Sequence, residues 1–252
     1  MHWHHGYRRD ILAIRNFGYA WTLYAICEST HKKSRHATRN INLMINYLFM
    51  EQEFESKANF VKIQIEKDFT ALNEFELEQF FEKFKDDKRT LSFFEYYNKT
   101  VLDKEKINFG EFKRQWAIQG MTREVFNFFS DNFEKLKEEI KKRDIKKFFE
   151  KYCCAVRKEA SFCSKLFHTI LPDEFPPVDN PIKKKFHLQK EEFIKSVLII
   201  KLGYKLFIAK NPDKITLIRK LLSKSKFAYL RINELSDIRI LDMYYWFKEN
   251  RE

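Results

Sequence analysis

The sequence predicts an all-α protein, a multi-helix globular bundle of about ten helices. Apolar side chains recur every three or four residues along most of the 252-residue chain, which is the spacing of one helix face. Only 5 Gly and 5 Pro occur, too few for the many turns of an all-β sandwich or barrel. Hydrophobic residues make up 44% and charged residues 33%, a balance that allows a buried core and excludes a disordered chain.

The helical spacing can be followed in order along the chain. The most apolar stretch, Ile11 to Cys27, predicts a buried helix, because polar residues interrupt it and it is too short to span a bilayer comfortably. Four later stretches repeat apolar residues on one helix face. They are Phe69, Leu72, Phe75, Phe80, Phe81 and Phe84; Val125, Phe129, Phe133, Leu136 and Ile140; Phe193, Val197, Ile200, Tyr204 and Phe207; and Ile238, Leu241, Tyr244 and Tyr245. We expect Ser236 or Asp237 to cap the last of these helices.

Two segments depart from this pattern. Helical spacing weakens between Lys99 and Gly120, where a break between helices is expected. Within it, residues 106–112 alternate at period two, but too briefly to change the predicted fold class. Residues 171–181 hold four of the five prolines, which predicts a structured connection between two helices.

Neither a repeat of fixed period nor an obvious linker divides the chain. We therefore expect a single all-helical domain over residues 1–252. Because roughly 150 residues is typical of one domain, two helical lobes around a cleft, residues 1–110 and 111–252, are an alternative.

Several kinds of site are excluded by what the sequence lacks. It contains neither GxGxxG nor GxxxxGK[ST], so no glycine-built nucleotide site is expected. The four cysteines, Cys27, Cys153, Cys154 and Cys163, have no zinc spacing and suggest no disulfide framework. We expect neither a metal nor a cofactor. With no signal-peptide pattern in the sequence, we also expect a protein of the reducing cytoplasm without a membrane partner.

Positive charge is concentrated in two segments. The chain has 48 Lys and Arg against 36 Asp and Glu, a net charge of +12. Residues 1–45 carry 7 basic and 2 acidic side chains, and residues 180–226 carry 13 and 3. The rest of the chain is slightly acidic, so the pattern favours a surface that binds a polyanion, although a solvated lysine-rich helix surface explains it equally well. The candidate phosphate contacts are Lys183, Lys184, Lys185, Lys190, Arg35 and Arg39.

Residues 157–186 hold the strongest candidate for a reactive site. Phe162, Leu166 and Ile170 share one face of a predicted helix, and Lys165 lies at the boundary of that face. After the proline-rich connection, Asp179 is placed to cap the next helix, with Pro181 in its first turn. A helix, a tight connection and a cap can bring the lysine amine and the aspartate carboxylate together.

This segment resembles the helix-hairpin-helix DNA glycosylase superfamily, especially its 8-oxoguanine glycosylase-like branch. In that family a helix carries a lysine at its start, and a loop ending in Pro-Val-Asp begins the next helix; here these residues are Lys165 and Pro177-Val178-Asp179. The resemblance implies that Lys165 attacks C1′ of a deoxyribose and forms a Schiff base, while Asp179 activates the lysine and stabilises positive charge on the sugar.

The same resemblance implies a role in DNA repair, in which the target nucleotide is extruded into a pocket. Phe167 and His168 are the aromatic side chains nearest to the lysine in sequence, and they are the candidates to stack on the extruded base. The expected partner is nucleic acid, DNA rather than RNA.

Three alternatives remain open at the level of the sequence. The family has a Gly-Val-Gly-like turn before the lysine that binds phosphate, and residues 160–164 of this chain read Ala-Ser-Phe-Cys-Ser instead. This difference favours a non-catalytic helical nucleic-acid-binding protein, for example in a bacterial defence or mobile-element setting. The second alternative is purely structural: Asp179 caps its helix, and Lys165 forms an ion pair with Asp179. A protein–protein module that uses its aromatic surface is the third alternative.

Overall fold

A computed structural model describes the chain at residues 34–70, 88–103, 106–118, 120–153, 160–224 and 231–249. Within these ranges the protein has eleven α-helices and no β-strand, which confirms the all-α prediction. None of these helices is long and apolar enough to cross a membrane. The helices are α1 (Ser34–Thr70), α2 (Lys88–Tyr97), α3 (Phe109–Gln115), α4 (Arg123–Asp131), α5 (Phe133–Lys141), α6 (Ile145–Tyr152), α7 (Ala160–Ile170), α8 (Asn180–Lys185), α9 (Phe193–Lys210), α10 (Pro212–Lys224) and α11 (Asp237–Glu249).

The chain divides into two compact units between Glu55 and Ser56, inside α1. The described part of the first unit is residues 34–55, and the second unit contains the rest of α1 and all later helices. This division differs from the expected boundary near residue 110. The reason is that residue 110 lies inside α3, and α3 packs against α2.

Two of the predicted apolar stretches lie wholly or partly outside the described residues. They are Ile11 to Cys27 and the part of the Phe69–Phe84 stretch that follows Thr70. Phe69 itself is buried near the end of α1, where its ring lies 5.6 Å from the ring of Phe207 on α9.

The apolar face predicted from Val125 to Ile140 is present, but it belongs to two helices. Asn132 separates α4 from α5 with a backbone conformation of φ −104° and ψ 11°, and its side-chain amide donates to the Phe128 carbonyl at 2.9 Å. Apolar burial continues across this break at Phe129, Phe133, Leu136 and Ile140. The apolar spacing continues because only one residue, Asn132, lies between the two helices.

The break expected between Lys99 and Gly120 is confirmed. A π-helical turn at Asn98–Leu102 ends the α2 segment, and Gly120 has a left-handed φ of 76°. The alternating residues 106–112 form no strand: residues 106–108 lead into α3, and residues 109–112 are its first turn. Asn108 caps this helix, and its Oδ1 accepts from the Glu111 N–H at 3.0 Å.

The last predicted helix is α11, and its apolar face is buried as expected at Ile238, Leu241, Tyr244 and Tyr245. Of the two cap candidates, Ser236 makes the capping bond: its Oγ accepts from the Arg239 N–H at 3.1 Å. The same hydroxyl donates to the Pro172 carbonyl at 2.9 Å, which ties the start of α11 to the proline-rich connection. A 3-10 turn at Ile232–Glu234 precedes this helix.

Candidate active site

A pocket of about 160 Å³ lies in the second unit, between the proline-rich connection and the helices around it. Five charged side chains and two aromatic rings line it beside smaller groups. These seven residues are Arg89, Lys165, Asp179, Arg239, Asp242, Phe93 and Trp116. The structure therefore brings both predicted catalytic residues, Lys165 and Asp179, to the wall of one pocket.

Ser164 explains why these two residues meet. Its Oγ accepts from the Val178 N–H at 3.0 Å and donates to the Val178 carbonyl at 2.8 Å, so it holds α7 against the end of the proline-rich connection. Because Lys165 follows Ser164 and Asp179 follows Val178, this double hydrogen bond joins the two backbones immediately before the two catalytic candidates. We call the contact between Ser164 and Val178 the serine clamp.

Lys165 is held in a position where its amine is poorly solvated. Its Nζ donates to the Trp116 carbonyl at 3.0 Å, at the end of α3. Burial lowers the pKa of Lys165 below its ordinary value, and the positive charge of Arg89 lowers it further, while Asp179 and Asp242 act in the opposite direction. A lowered pKa increases the fraction of neutral amine, which is the nucleophilic form.

Asp179 caps α8, as the sequence predicts. Its Oδ1 accepts from the Ile182 N–H at 3.1 Å. Among the described residues no ion pair joins Asp179 to Lys165, whose Nζ donates to the Trp116 carbonyl instead, although the negative charge of Asp179 still raises the pKa of the amine. Of the purely structural interpretation, the cap at Asp179 is present, whereas the ion pair between Asp179 and Lys165 is not.

A second carboxylate, Asp242, lies in the same pocket. Asp242 is 3% exposed and accepts from Arg239, one turn earlier on α11. The Arg239 guanidinium is stacked among three α2 rings, with 5.2, 5.4 and 4.9 Å from its central carbon to the ring centroids of Phe93, Phe94 and Tyr97. Burial raises the pKa of Asp242 to about 7, although the charge of Arg239 opposes this shift.

Five of the pocket residues were not predicted from the sequence. Arg89, Phe93 and Trp116 lie about fifty to eighty positions before Lys165, and Arg239 and Asp242 lie about as far after it. A charged pair at the spacing of one helical turn on an otherwise apolar helix was the available signal for Arg239 and Asp242. The other three residues had no comparable signal.

Phe167 and His168 are not where we expected them. Both are fully buried in the core and neither is among the residues that line the pocket. His168 Nδ1 lies 2.7 Å from the Phe175 carbonyl and Nε2 lies 3.0 Å from the Tyr97 hydroxyl, which fixes a neutral ring that donates to the first and accepts from the second. Burial lowers the pKa of His168 to about 3. The two side chains therefore pack the core, and the rings available to a ligand are those of Phe93 and Trp116.

The basic residues expected to bind phosphate divide into three groups. Lys183 is 7% exposed and donates to the Glu191 carbonyl at 2.8 Å, and Lys185 pairs with Asp68 at 3.0 Å, so these two are committed to internal contacts. Lys184 and Lys190 are exposed. Arg35 and Arg39 are part of α1, but their side chains lie outside the described residues.

The described part of the chain contains no cluster of three or more His, Cys, Asp or Glu residues that could hold a metal ion. Cys153 and Cys163 are buried as free thiols, whereas Cys27 and Cys154 lie outside the described residues. No protein-family model matches the sequence, and neither a curated protein nor a solved structure was found to be similar to it.

Proposed function

We propose that the protein is a DNA glycosylase-like enzyme that removes a base from DNA through an imine between Lys165 and the deoxyribose. The observation that carries the proposal is that Lys165 and Asp179 line one pocket without pairing with each other. The pKa of the Lys165 amine is lowered and Asp179 lines the same pocket, and nucleophilic attack on a sugar carbon uses such an amine together with a nearby carboxylate.

In the proposed reaction, the neutral Nζ of Lys165 attacks C1′ and the bond from C1′ to the base breaks. The bonding electrons leave with the base, which takes up a proton. The C1′–O4′ bond then opens, Nζ gives a proton to O4′, and an imine joins the protein to the sugar. Asp179 lines the same pocket, and we expect its negative charge to stabilise the positive charge that develops on the sugar during the first step.

The size of the pocket supports a small occupant. A cavity of ~150 Å³ accommodates one benzene ring, and this pocket measures about 160 Å³. The rings of Phe93 and Trp116 provide apolar walls against which a base can stack. A single extruded ring fits these dimensions.

Reduction with borohydride tests the proposal, because it converts an imine into a permanent cross-link. We expect the protein to be trapped on a duplex carrying a suitable damaged or modified base. Lys165→Gln should abolish trapping, since the amide retains a donor for the Trp116 carbonyl but is not a nucleophile. Asp179→Asn should slow trapping by roughly 100-fold or more through loss of the charge, while the cap of α8 is retained.

Lys201 provides the matched control. Burial lowers the pKa of Lys201 to about 8, yet its Nζ lies 3.5 Å from the centroid of the Phe175 ring, and Lys201 is not among the pocket residues. Lys201→Gln should therefore trap as efficiently as the unmodified protein. Trapping that persists in Lys165→Gln would remove Lys165 from the mechanism.

A second candidate function is nucleic-acid binding without catalysis. It is favoured by the absence of the glycine-containing turn before Lys165 and by the exposed lysines Lys184 and Lys190. Under this alternative, the protein binds DNA in a salt-dependent manner but no substrate gives a cross-link.

A further inference from the structure

Asp242 is a buried carboxylate to which the proposed reaction assigns no role. It lies on α11, far in sequence from the segment that resembles the glycosylases, and it lines the same pocket as Lys165. Its partner Arg239 is 1% exposed and is held among three aromatic rings. Such packing fixes the position of the carboxylate, because Arg239 cannot move without leaving those rings.

The resemblance assigns activation of Lys165 to Asp179, but Asp179 is engaged as the cap of α8, and the proposed reaction uses it only to stabilise charge. Two proton transfers therefore still need a group. The Lys165 ammonium must lose a proton before its amine can attack, and the departing base must gain one. A single carboxyl group near both atoms can perform the two transfers in turn.

We propose that Asp242 is this proton carrier, which takes the proton from the Lys165 ammonium and then delivers it to the departing base. The proposal rests on the function proposed above. In the first transfer, the Lys165 ammonium and the Asp242 carboxylate become a neutral amine and a carboxylic acid. In the second, the leaving base takes the proton and Asp242 returns to the carboxylate, so the transfer consumes no other reactant.

The electrostatic surroundings suit this role. Burial raises the pKa of Asp242 to about 7, so the group can both accept and release a proton near neutral pH. Arg239 and Lys165 favour the carboxylate, and Asp179 favours the acid. Five ionisable groups interact with Asp242. They are Arg239 on the same helix, Lys165 on α7, Asp179 at the start of α8, Tyr97 on α2 and Tyr204 on α9.

The proposal makes a specific prediction for the pH dependence of base release. The reactive form contains one proton shared between Lys165 and Asp242, so the single-turnover rate should follow a bell-shaped curve when measured from about pH 5 to about pH 10. Asp242→Asn should remove the alkaline limb, because Lys165 alone then titrates, and should slow release at neutral pH by roughly 100-fold. A bell-shaped curve and a rate within about threefold of the unmodified protein would overturn the proposal.

A second variant separates chemistry from folding. Asp242→Asn leaves the buried Arg239 charge without its partner, which can destabilise the fold. The double variant Arg239→Gln/Asp242→Asn removes both charges and should also lack the alkaline limb. Arg239→Gln alone retains the carboxyl group and should keep the bell-shaped curve, moved to higher pH because the charge that lowers the pKa of Asp242 is gone.

A measurement without DNA distinguishes failure of this proposal from failure of the proposed function. Formaldehyde with cyanoborohydride methylates neutral lysine amines, and peptide mass spectrometry reports the extent at Lys165 as a function of pH. In the folded Asp242→Asn protein the midpoint should move to lower pH, since the carboxylate that raises the pKa of Lys165 is lost. An unchanged midpoint rejects the proton carrier even if base release is observed. Absence of base release together with the shifted midpoint rejects the proposed function instead.

Discussion

Three lysines, Lys165, Lys183 and Lys201, have pKa values lowered by burial, and their neighbours give them different roles. Lys183 is held by a backbone carbonyl and lies over the ring of Phe193, and Lys201 lies over the ring of Phe175. Of the three, Lys165 lines the pocket. A lowered pKa therefore does not identify a nucleophile by itself, because the amine must also line a pocket that a substrate can enter.

His168 allows a prediction about stability at the scale of one residue. Its pKa of about 3 in the folded protein lies below the ordinary value of 6.5, so between these values the unfolded chain binds a proton that the folded protein does not. Acidification from pH 7 to pH 5 should therefore lower the free energy of unfolding of the unmodified protein by about 2 kcal/mol more than that of His168→Gln. The loss is about 1.36 kcal/mol for each pH unit below 6.5.

Urea unfolding of both proteins at the two pH values measures this difference. The glutamine can donate to the Phe175 carbonyl and accept from Tyr97, so the variant should fold. The raised pKa of Asp242 has the opposite effect on stability, but it is present in both proteins and is removed by the comparison. A difference in unfolding free energy that does not change with pH would show that His168 is not a buried neutral imidazole.

At the scale of the element, local spacing predicted the part of the site carried by α7, its connection and α8. Lys165 and Asp179 are 14 residues apart on adjacent elements, where a boundary lysine and an N-cap can be recognised from sequence. Phe167 and His168 were assigned to the pocket because they are neighbours of Lys165 in sequence, but both are buried in the core. Phe167 is two positions after Lys165 and so lies on a different face of α7. His168 is three positions after it, and its ring is held in the core by Tyr97 and the Phe175 carbonyl. Trp116 and Asp242 depend on packing between distant helices, which periodicity does not report.

Loss of the serine clamp should affect both the stability of the fold and the reaction with DNA. Ser164→Ala removes both hydrogen bonds to Val178 and leaves a buried N–H without its partner, which should lower the free energy of unfolding by about 1–3 kcal/mol. Because the clamp joins the backbones just before Lys165 and Asp179, trapping on DNA should also slow.

Ser196→Ala is the matched control for Ser164→Ala. Ser196 is also fully buried, but its hydroxyl donates to the Glu192 carbonyl one turn earlier along α9. The unfolding temperature and the rate of trapping should both fall less in this variant than in Ser164→Ala. Equal effects of the two substitutions on trapping would mean that the clamp does not position the catalytic pair.

At the scale of the whole molecule, the net charge of +12 predicts attraction to DNA but does not locate the contact surface. The fold class and most helix faces could be predicted because each depends on residues close in sequence. The distribution of exposed charge could not, since Lys183 and Lys185 bond to groups on other segments while Lys184 and Lys190 remain exposed.

The salt dependence of DNA binding tests the role of the exposed lysines. If Lys184 and Lys190 each contact a phosphate, the double alanine variant should weaken binding and reduce the slope of log K against log salt by about 2. A variant with alanine at Lys141 and Lys142, which are exposed and paired with Glu138 and Glu139, changes the net charge equally and should leave the slope nearly unchanged. Equal slopes for the two variants would indicate attraction by net charge alone.

The attachment site of the trapped DNA shows whether Lys165 is the amine that attacks the sugar. After borohydride reduction, the complex can be digested with protease and nuclease, and mass spectrometry can identify the peptide that retains the reduced sugar. We expect the sugar to be attached to Nζ of Lys165. Attachment to any other amine, such as that of Lys201, would contradict this expectation, because the pocket formed by α7, α8 and α11 would then not be the place where the chemistry occurs.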